Sequence, residues 1–182
     1  MPIESTFWNI NDGLRPITFS APDTEMDLED MLFSRIDILD PNLLIIGRQV
    51  ATSFNGRIDI LAIDVEGNVH IIELKRDRTP REVMAQVLDY ASWIKTLSAS
   101  EIKDLFPKYN QNKEIEQSFF EKFGIDFPEI INEDHAMIIV ASNLDSSTER
   151  ILHYLSEEYG VPINVVFFRY FKDGQNKFLS RT

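Results

Sequence analysis

The chain has 182 residues, which is enough for one domain with a sizeable hydrophobic core. Lys and Arg total 18 against 30 Asp and Glu, so the formal net charge of −12 argues against a tight nucleic-acid binder with a broad basic surface. There is no cysteine, no secretory signal and no apolar run of about 20 residues, which excludes a disulfide scaffold and a membrane-spanning segment and leads us to expect a cytoplasmic protein.

The first half of the chain predicts one helix and three strands. Residues 1–24 are interrupted by glycine and proline and are expected to be irregular. A helix is expected to begin near Thr24 or Asp27, because apolar residues then recur at helical spacing. The second and third of the three predicted strands are apolar on both faces, as is typical of the buried centre of a sheet. The three strands are predicted at 43–50, 57–65 and 69–75.

The second half predicts alternating helices and strands. Thr79-Pro80-Arg81-Glu82 has the pattern of a capping box with proline at the first helical position, and Ser146 to Glu149 is a second such box. The second box opens a helix that reaches about Tyr159. The remaining elements are a helical insert at about 101–130 and strands at 136–141 and 163–171. The order predicts a single α/β domain over 25–182, with a mixed central sheet flanked by helices in three layers.

Charged residues inside the predicted central strands carry most of the functional information. Asp59 lies in one apolar run, and Glu73 and Lys75 lie in the next, where a charge is costly unless it is paired or binds a metal. Glu73 and Lys75 share one face, because side chains alternate along a strand. If Val65 pairs with Val69 across a three-residue loop, Asp59 lies opposite Lys75 and diagonal to Glu73. A two-residue loop would move Asp59 to the other face.

These residues resemble a known superfamily. Gly56-Arg57-Ile58-Asp59 with Glu73-Leu74-Lys75 is similar to the PD-(D/E)XK nucleases, which have the restriction-endonuclease-like fold. Gln86 to Tyr90 matches the QxxxY element of their RecB-like branch, and Leu28-Glu29-Asp30 resembles that branch's first-helix glutamate. The block GRIDILAID…IIELKRDRTPREV is most similar to the catalytic domain of NucS-like mismatch endonucleases and to uncharacterised bacterial proteins like it.

The resemblance implies a metal site and a set of catalytic residues. It places Mg²⁺ or Mn²⁺ on Asp59, Glu73, the carbonyl of Leu74 and Glu29, with Lys75 orienting or deprotonating the attacking water. Glu25 is an alternative to Glu29, since both lie on one side of the helix. Gln86 is expected to contact a metal-bound water or a DNA phosphate, and Tyr90 is either catalytic or a core aromatic residue.

A short basic segment follows this candidate site. Arg76, Arg78 and Arg81, with Arg57 nearby, either contact DNA phosphates at a helix start or form an ordinary solvated charged surface. The three histidines have no metal-ligand spacing and are interpreted as structural or surface residues.

Together these features predict a Mg²⁺-dependent deoxyribonuclease, most simply an endonuclease. The alternative is a nuclease-fold module that binds nucleic acid or a protein partner without cutting, which the charge of −12 favours. A homodimer would let two sites cut both strands. NucS-like proteins carry a separate N-terminal DNA-binding domain for which residues 1–24 leave no room, and related proteins continue past the corresponding C-terminus, so the chain is expected to be truncated there.

Overall fold

The computed structural model describes residues 6–11, 13–20, 24–111 and 113–182, with the backbone only at residues 77 and 78. These residues form an eight-stranded mixed sheet in the order β1-β2-β7-β6-β5-β4-β3, with β8 paired to β7. Strands β5, β6 and β7 run parallel, and the other pairs are antiparallel. The strands are β1 (Phe7–Asn9), β2 (Arg15–Ser20), β3 (Leu43–Ala51), β4 (Arg57–Asp64), β5 (Val69–Thr79), β6 (His135–Leu144), β7 (Ile163–Asp173) and β8 (Asn176–Arg181).

Helices cover both faces of the sheet and create two separate hydrophobic cores. One core packs α1 and the 3₁₀ turn after it against one face. The larger core packs the other helices against the opposite face. The predicted three-layer α/β architecture is therefore confirmed. The helices are α1 (Glu25–Ser34), α2 (Glu82–Ile94), α3 (Ala99–Tyr109), α4 (Ile115–Phe123) and α5 (Ser146–His153), with a 3₁₀ turn at Ile36–Ile38 and a π-helical turn at Tyr154–Glu158.

Both ends of the chain are more regular than their sequences indicate. The segment expected to be irregular contains β1 and β2, and β2 pairs with β7. The last residues form a hairpin in which β8 pairs with β7. The partner of β2 is distant in sequence, so strand formation there depends on β7 more than on local propensity, whereas β8 pairs with the strand immediately before it. Among the described residues, no helix is long and apolar enough to cross a membrane.

Both predicted capping boxes are wrong in detail. Thr79 is the last residue of β5 and is fully buried, its Oγ1 has no hydrogen-bond partner among the described residues, and α2 begins after Arg81 without a side-chain cap. At α5 the cap is one residue earlier than predicted, because Asp145 accepts the bond from the amide of Thr148 (2.7 Å). A capping pattern identifies a helix start only when the preceding strand does not already use its residues.

The β4–β5 hairpin determines which side chains meet. Ile63 pairs with Val69 and Ile60 with Ile72, so five residues, not the predicted three, separate the last paired residues of the two strands. Asp64 holds the turn by accepting bonds from the amides of Glu66 and Asn68 (both 2.9 Å). The register differs from the prediction by two residues, which preserves the face but puts Asp59 beside Glu73, not opposite Lys75.

Candidate active site

Asp59 lies where β4 and β5 begin to separate. The backbone pairing of the two strands runs to Ile60 and Ile72, and beyond it the amide of Leu74 donates to Asp59 Oδ2 (2.8 Å). The Asp59 side chain thus accepts from the Leu74 amide in place of a backbone carbonyl of β4. Burial raises the pKa of Asp59, although the Leu74 amide and the charge of Lys75 oppose that shift.

Glu73 is the most deeply buried carboxylate of this group. Its side chain is 2% exposed, Lys75 Nζ lies 2.5 Å from its Oε1, and its Oε2 has no hydrogen-bond partner among the described residues. Burial first, and the charge of Asp59 second, raise the pKa of Glu73 to about 7. Burial lowers the pKa of Lys75, but the hydrogen bond to Glu73 and the charge of Glu73 outweigh it, and the net shift is upward. Asp59, Glu73 and Lys75 therefore come together as the strand pattern predicts.

Helix α1 contributes a third carboxylate through β3. Glu29 is buried, and its Oε1 accepts from Arg48 Nε (2.6 Å) while its Oε2 accepts from Gln49 Nε2 (3.0 Å). The same Gln49 nitrogen donates to Asp59 Oδ1 (2.9 Å). Glu25 lies closer to β5, where its carboxylate accepts from the amide of Arg76 (3.1 Å). Both candidate helix glutamates therefore border the site, and each already has protein partners.

Gln86 and Tyr90 of α2 form a hydrogen-bond chain to the first residue of β4. Gln86 Nε2 donates to the hydroxyl of Tyr90 (2.9 Å), which in turn donates to the carbonyl of Arg57 (2.8 Å) and accepts from the Arg57 amide (3.3 Å). Tyr90 is buried at 4% exposure. A Cβ at Gly56 would lie 2.6 Å from Tyr90 Cε1, so the ring requires glycine there. In this structure the QxxxY pair holds the β3–β4 loop, and only Gln86 is partly exposed.

The basic residues occupy different settings. Arg57 and Arg81 are exposed, and Arg81 lies 3.6 Å from Glu82. Arg76 is partly buried at the end of the site, where its carbonyl accepts from Ser142 Oγ (2.9 Å). The side chain of Arg78 lies outside the described residues. Arg57 and Arg76 therefore lie within two residues of Asp59 and Lys75 on β4 and β5, whereas Arg81 lies at the start of α2.

Gln49 contacts both Glu29 and Asp59, but the sequence patterns did not single it out. It is neutral and belongs to no motif, so neither a charge pattern nor a motif selects it. The visible hint was the pair Arg48-Gln49 inside an otherwise apolar strand. Within the described parts of the chain, no three His, Cys, Asp or Glu side chains form a group that could hold a metal ion. Glu29 accepts one hydrogen bond at each oxygen, from Arg48 and from Gln49.

A family model covers most of this region. The model described as the endonuclease NucS C-terminal domain matches residues 24–152. The chain belongs to this family. Every candidate site residue lies within the part that matches the NucS domain, whereas β1, β2, β7 and β8 lie outside it.

Solved structures similar to this NucS-family chain are larger. A complex of EndoMS with double-stranded DNA is 17% identical, with 84% of this chain and 49% of that chain covered at a TM-score of 0.47. A repair endonuclease from Pyrococcus abyssi is 19% identical over 80% of this chain and 48% of that chain (TM-score 0.41). EndoMS in apo form is 18% identical over 80% and 47% (TM-score 0.45). The chain spans about half the length of these structures. No curated protein matches it.

Proposed function

We propose that this domain is a divalent-metal-dependent endonuclease that hydrolyses phosphodiester bonds in DNA, with the PD-(D/E)XK set as its active site. The convergence of Asp59, Glu73 and Lys75, with one buried carboxylate oxygen left without a described partner, is the observation that carries this proposal. Membership of the NucS family supports the nuclease class. The DNA complex of EndoMS supports DNA as the substrate to test first.

The donor set fits a hard cation such as Mg²⁺ or Mn²⁺. Such ions take oxygen ligands, and Asp59 and Glu73 offer two neighbouring carboxylates. In a strand, the N–H and C=O of one residue point to the same neighbouring strand, so the Leu74 carbonyl is directed to the side on which its amide meets Asp59. We propose Asp59, Glu73 and the Leu74 carbonyl as the ligands. Glu29 accepts one bond at each oxygen, from Arg48 and Gln49, and each oxygen keeps a second lone pair, so Glu29 is a further candidate ligand.

The bound ion would supply Lewis-acid charge and lower the pKa of a coordinated water. The residues of the chain would perform the other tasks. Lys75 would hold the Glu73 carboxylate in place through their hydrogen bond, and the ammonium of Lys75 would offset negative charge that develops on the phosphate. Gln86 and Tyr90 hold the β3–β4 loop against α2, which fixes the start of β4 and therefore Asp59. Arg57, Arg76, Arg78 and Arg81 would bind the phosphate backbone along the site's edge.

The non-cutting alternative is supported by the net charge of −12, since phosphate binding usually needs a basic surface. A DNA-binding or protein-binding module would keep the fold and tolerate loss of any one carboxylate. The two functions therefore differ in how they respond to a substitution that changes a single charge at the site.

The deciding experiment incubates the protein with labelled single-stranded, double-stranded and mismatched DNA, and with RNA, in Mg²⁺, Mn²⁺ or chelator. We expect cleavage of DNA that depends on the ion and is lost in Glu73→Gln. The matched control is Glu129→Gln, the same substitution at an exposed position. Cleavage that survives in Glu73→Gln, or no cleavage of any substrate, would favour the alternative.

Ion binding can be followed without any substrate. Mg²⁺ or Mn²⁺ should raise the melting temperature, because an ion that binds only the folded state stabilises it. The rise should disappear in the Asp59→Asn/Glu73→Gln double variant. A rise that persists in this variant would place the ion elsewhere.

A further inference from the structure

We infer that Gln49 is a positioning residue that joins Glu29 of α1 to Asp59 of β4 and fixes the orientation of the Asp59 carboxylate. This inference rests in part on the proposed function, because the orientation of the Asp59 carboxylate matters most if Asp59 binds a cation.

A single side-chain nitrogen makes the connection. Gln49 Nε2 lies 3.0 Å from Glu29 Oε2 and 2.9 Å from Asp59 Oδ1. An amide nitrogen carries two hydrogens, so each carboxylate receives one of them. Both bonds are to ionisable acceptors, which are the stronger class of hydrogen bond. Two acidic residues from different elements are thereby held within the reach of one neutral donor.

The backbone of β3 is distorted at this residue. Arg48 pairs with Ile60 and Val50 with Ile58, so Gln49 lies across from Asp59. Its φ is +51°, in the left-handed region that a residue with a β-carbon rarely adopts. Left-handed residues are uncommon inside strands, and the strain persists only where the surroundings hold it in place. The two carboxylates, which come from α1 and β4, supply that restraint.

The result is a carboxylate anchored at both oxygens. Asp59 Oδ1 is held by Gln49, and Oδ2 is held by the amide of Leu74. A carboxylate oxygen has two lone pairs, so each oxygen keeps one for another partner. Because Gln49 is uncharged, it orients Asp59 without adding a positive charge that would repel a cation. Arg48 provides the charge instead, on the Glu29 side of the bridge (Nε–Oε1 2.6 Å).

The first test observes the bridge directly in the metal-free, DNA-free protein. The Gln49 side-chain amide is assigned in an NMR spectrum of ¹⁵N-labelled protein by its loss in Gln49→Leu. We expect Glu29→Gln to shift one of its two proton resonances and Asp59→Asn to shift the other. A Gln49 amide that responds to neither substitution would overturn the inference.

The second test separates the bridge from the backbone strain. Gln111 is an exposed glutamine with nearly the same left-handed φ (+55°), so it is a matched control in the same chain. Glycine tolerates this conformation, so Gln111→Gly should leave the melting temperature unchanged or raise it slightly. Gln49→Gly should lower the melting temperature, because the buried Glu29 and the half-buried Asp59 lose a donor. An equal rise in both variants would mean that Gln49 contributes only strain.

The third test asks whether the orientation serves ion binding. Residues that orient a metal ligand typically change affinity by about 10–100-fold when removed. Calorimetric titration with Mn²⁺ should therefore show about 10-fold or greater weakening in Gln49→Leu, which keeps the volume, and in Gln49→Asn, which tolerates the backbone but is too short. Unchanged Mn²⁺ affinity in both variants, with the bridge seen by NMR, would refute the link to ion binding. If wild type binds no Mn²⁺ at all, the proposed metal site fails, whereas the bridge is still decided by the first two tests.

Discussion

Glu73 in β5 and Asp173 in β7 are two buried carboxylates of one sheet with opposite surroundings. Asp173 accepts hydrogen bonds from Arg15 and from Asn9 Nδ2 (2.6 Å), and these bonds hold its pKa below the usual range. Glu73 has Lys75 as its partner, while burial and the neighbouring Asp59 raise its pKa to about 7. One carboxylate is stabilised in its charged form by the fold, and the other is destabilised in that form.

The difference is the one we expect between a structural carboxylate and the catalytic carboxylate that we propose at Glu73. Asp173 joins β7 to the β1–β2 hairpin, so its partners are part of what assembles that end of the sheet. Glu73 costs stability in the absence of a further partner, because a buried carboxylate oxygen lacks a donor among the described residues. Buried titratable groups with strongly shifted pKa values concentrate at active sites, and Glu73 meets that description whereas Asp173 does not.

The largest expected effect is on catalysis. Lys75→Ala should reduce single-turnover DNA cleavage by about 100-fold or more, because it removes a charge directed at the transition state, with little change in DNA affinity. The matched control is Lys122→Ala, the same change at an exposed position. Cleavage at the wild-type rate in Lys75→Ala would contradict the catalytic role proposed for Lys75 and Glu73, and with it the contrast to Asp173.

The pH dependence of stability should have opposite signs at the two carboxylates. The folded pKa of Glu73 is raised from 4.5 to about 7, so the folded state binds more protons in that interval and the free energy of unfolding falls as pH rises through it. Glu73→Gln should remove about 2–3 kcal/mol of this fall in the metal-free protein. The measurement is urea denaturation across a pH series that extends from about pH 2 to about pH 8.

Asp173→Asn serves as the opposite case in the same experiment. The folded pKa of Asp173 is lowered, so its stabilisation is present above the unfolded value of 3.8 and is lost as pH falls through the folded value. The variant should therefore be destabilised most at neutral pH and approach wild type in acid. Two variants with the same sign of pH dependence would contradict the proposed distinction.

A smaller effect is expected at the basic edge of the site. An Arg76/Arg78/Arg81 triple alanine variant should lower the dependence of log Kd on log salt by about one unit for each phosphate contact removed. Binding is measured by fluorescence anisotropy across a salt series with Glu73→Gln as the uncut background. An unchanged slope would mean that the segment is an ordinary solvated surface and that DNA approaches elsewhere.

The smallest expected effect concerns Thr79. Its Oγ1 is buried without a described partner, as is Glu73 Oε2, but it carries no charge. Thr79→Val keeps the branched shape, so the free energy of unfolding should change by less than about 1 kcal/mol, and an increase is expected if the hydroxyl is truly unpaired. A large loss of stability, measured by thermal denaturation, would show that the hydroxyl has a partner and restore a capping role.

Much of the candidate site was predictable because its signals are local. Asp59, Glu73 and Lys75 are charged residues in strands that are otherwise apolar, and that conflict is visible without coordinates. The sequence also indicated that Asp59 shares a sheet face with Glu73 and Lys75, because any loop with an odd number of residues between the two strands gives that arrangement. The roles of Gln86 and Tyr90 were less accessible. Tyr90 bonds to the backbone of Arg57, 33 positions away, and Gln86 bonds to the Tyr90 hydroxyl, and no helical pattern specifies the contact with Arg57.

By itself, the sequence determined the three-layer class, the presence of α1 and the acidic residues of the central hairpin, because each depends on periodicity or charge within a few residues. Only the tertiary structure decided the five-residue turn at Asp64, the strands at both ends of the chain and the bridge through Gln49. The pairing of β2 and the bridge through Gln49 depend on partners far apart in sequence, and the turn and β8 depend on a register that local propensity does not specify. A hydrogen-bond donor or a strand edge acquires its role from the neighbour that the fold brings to it.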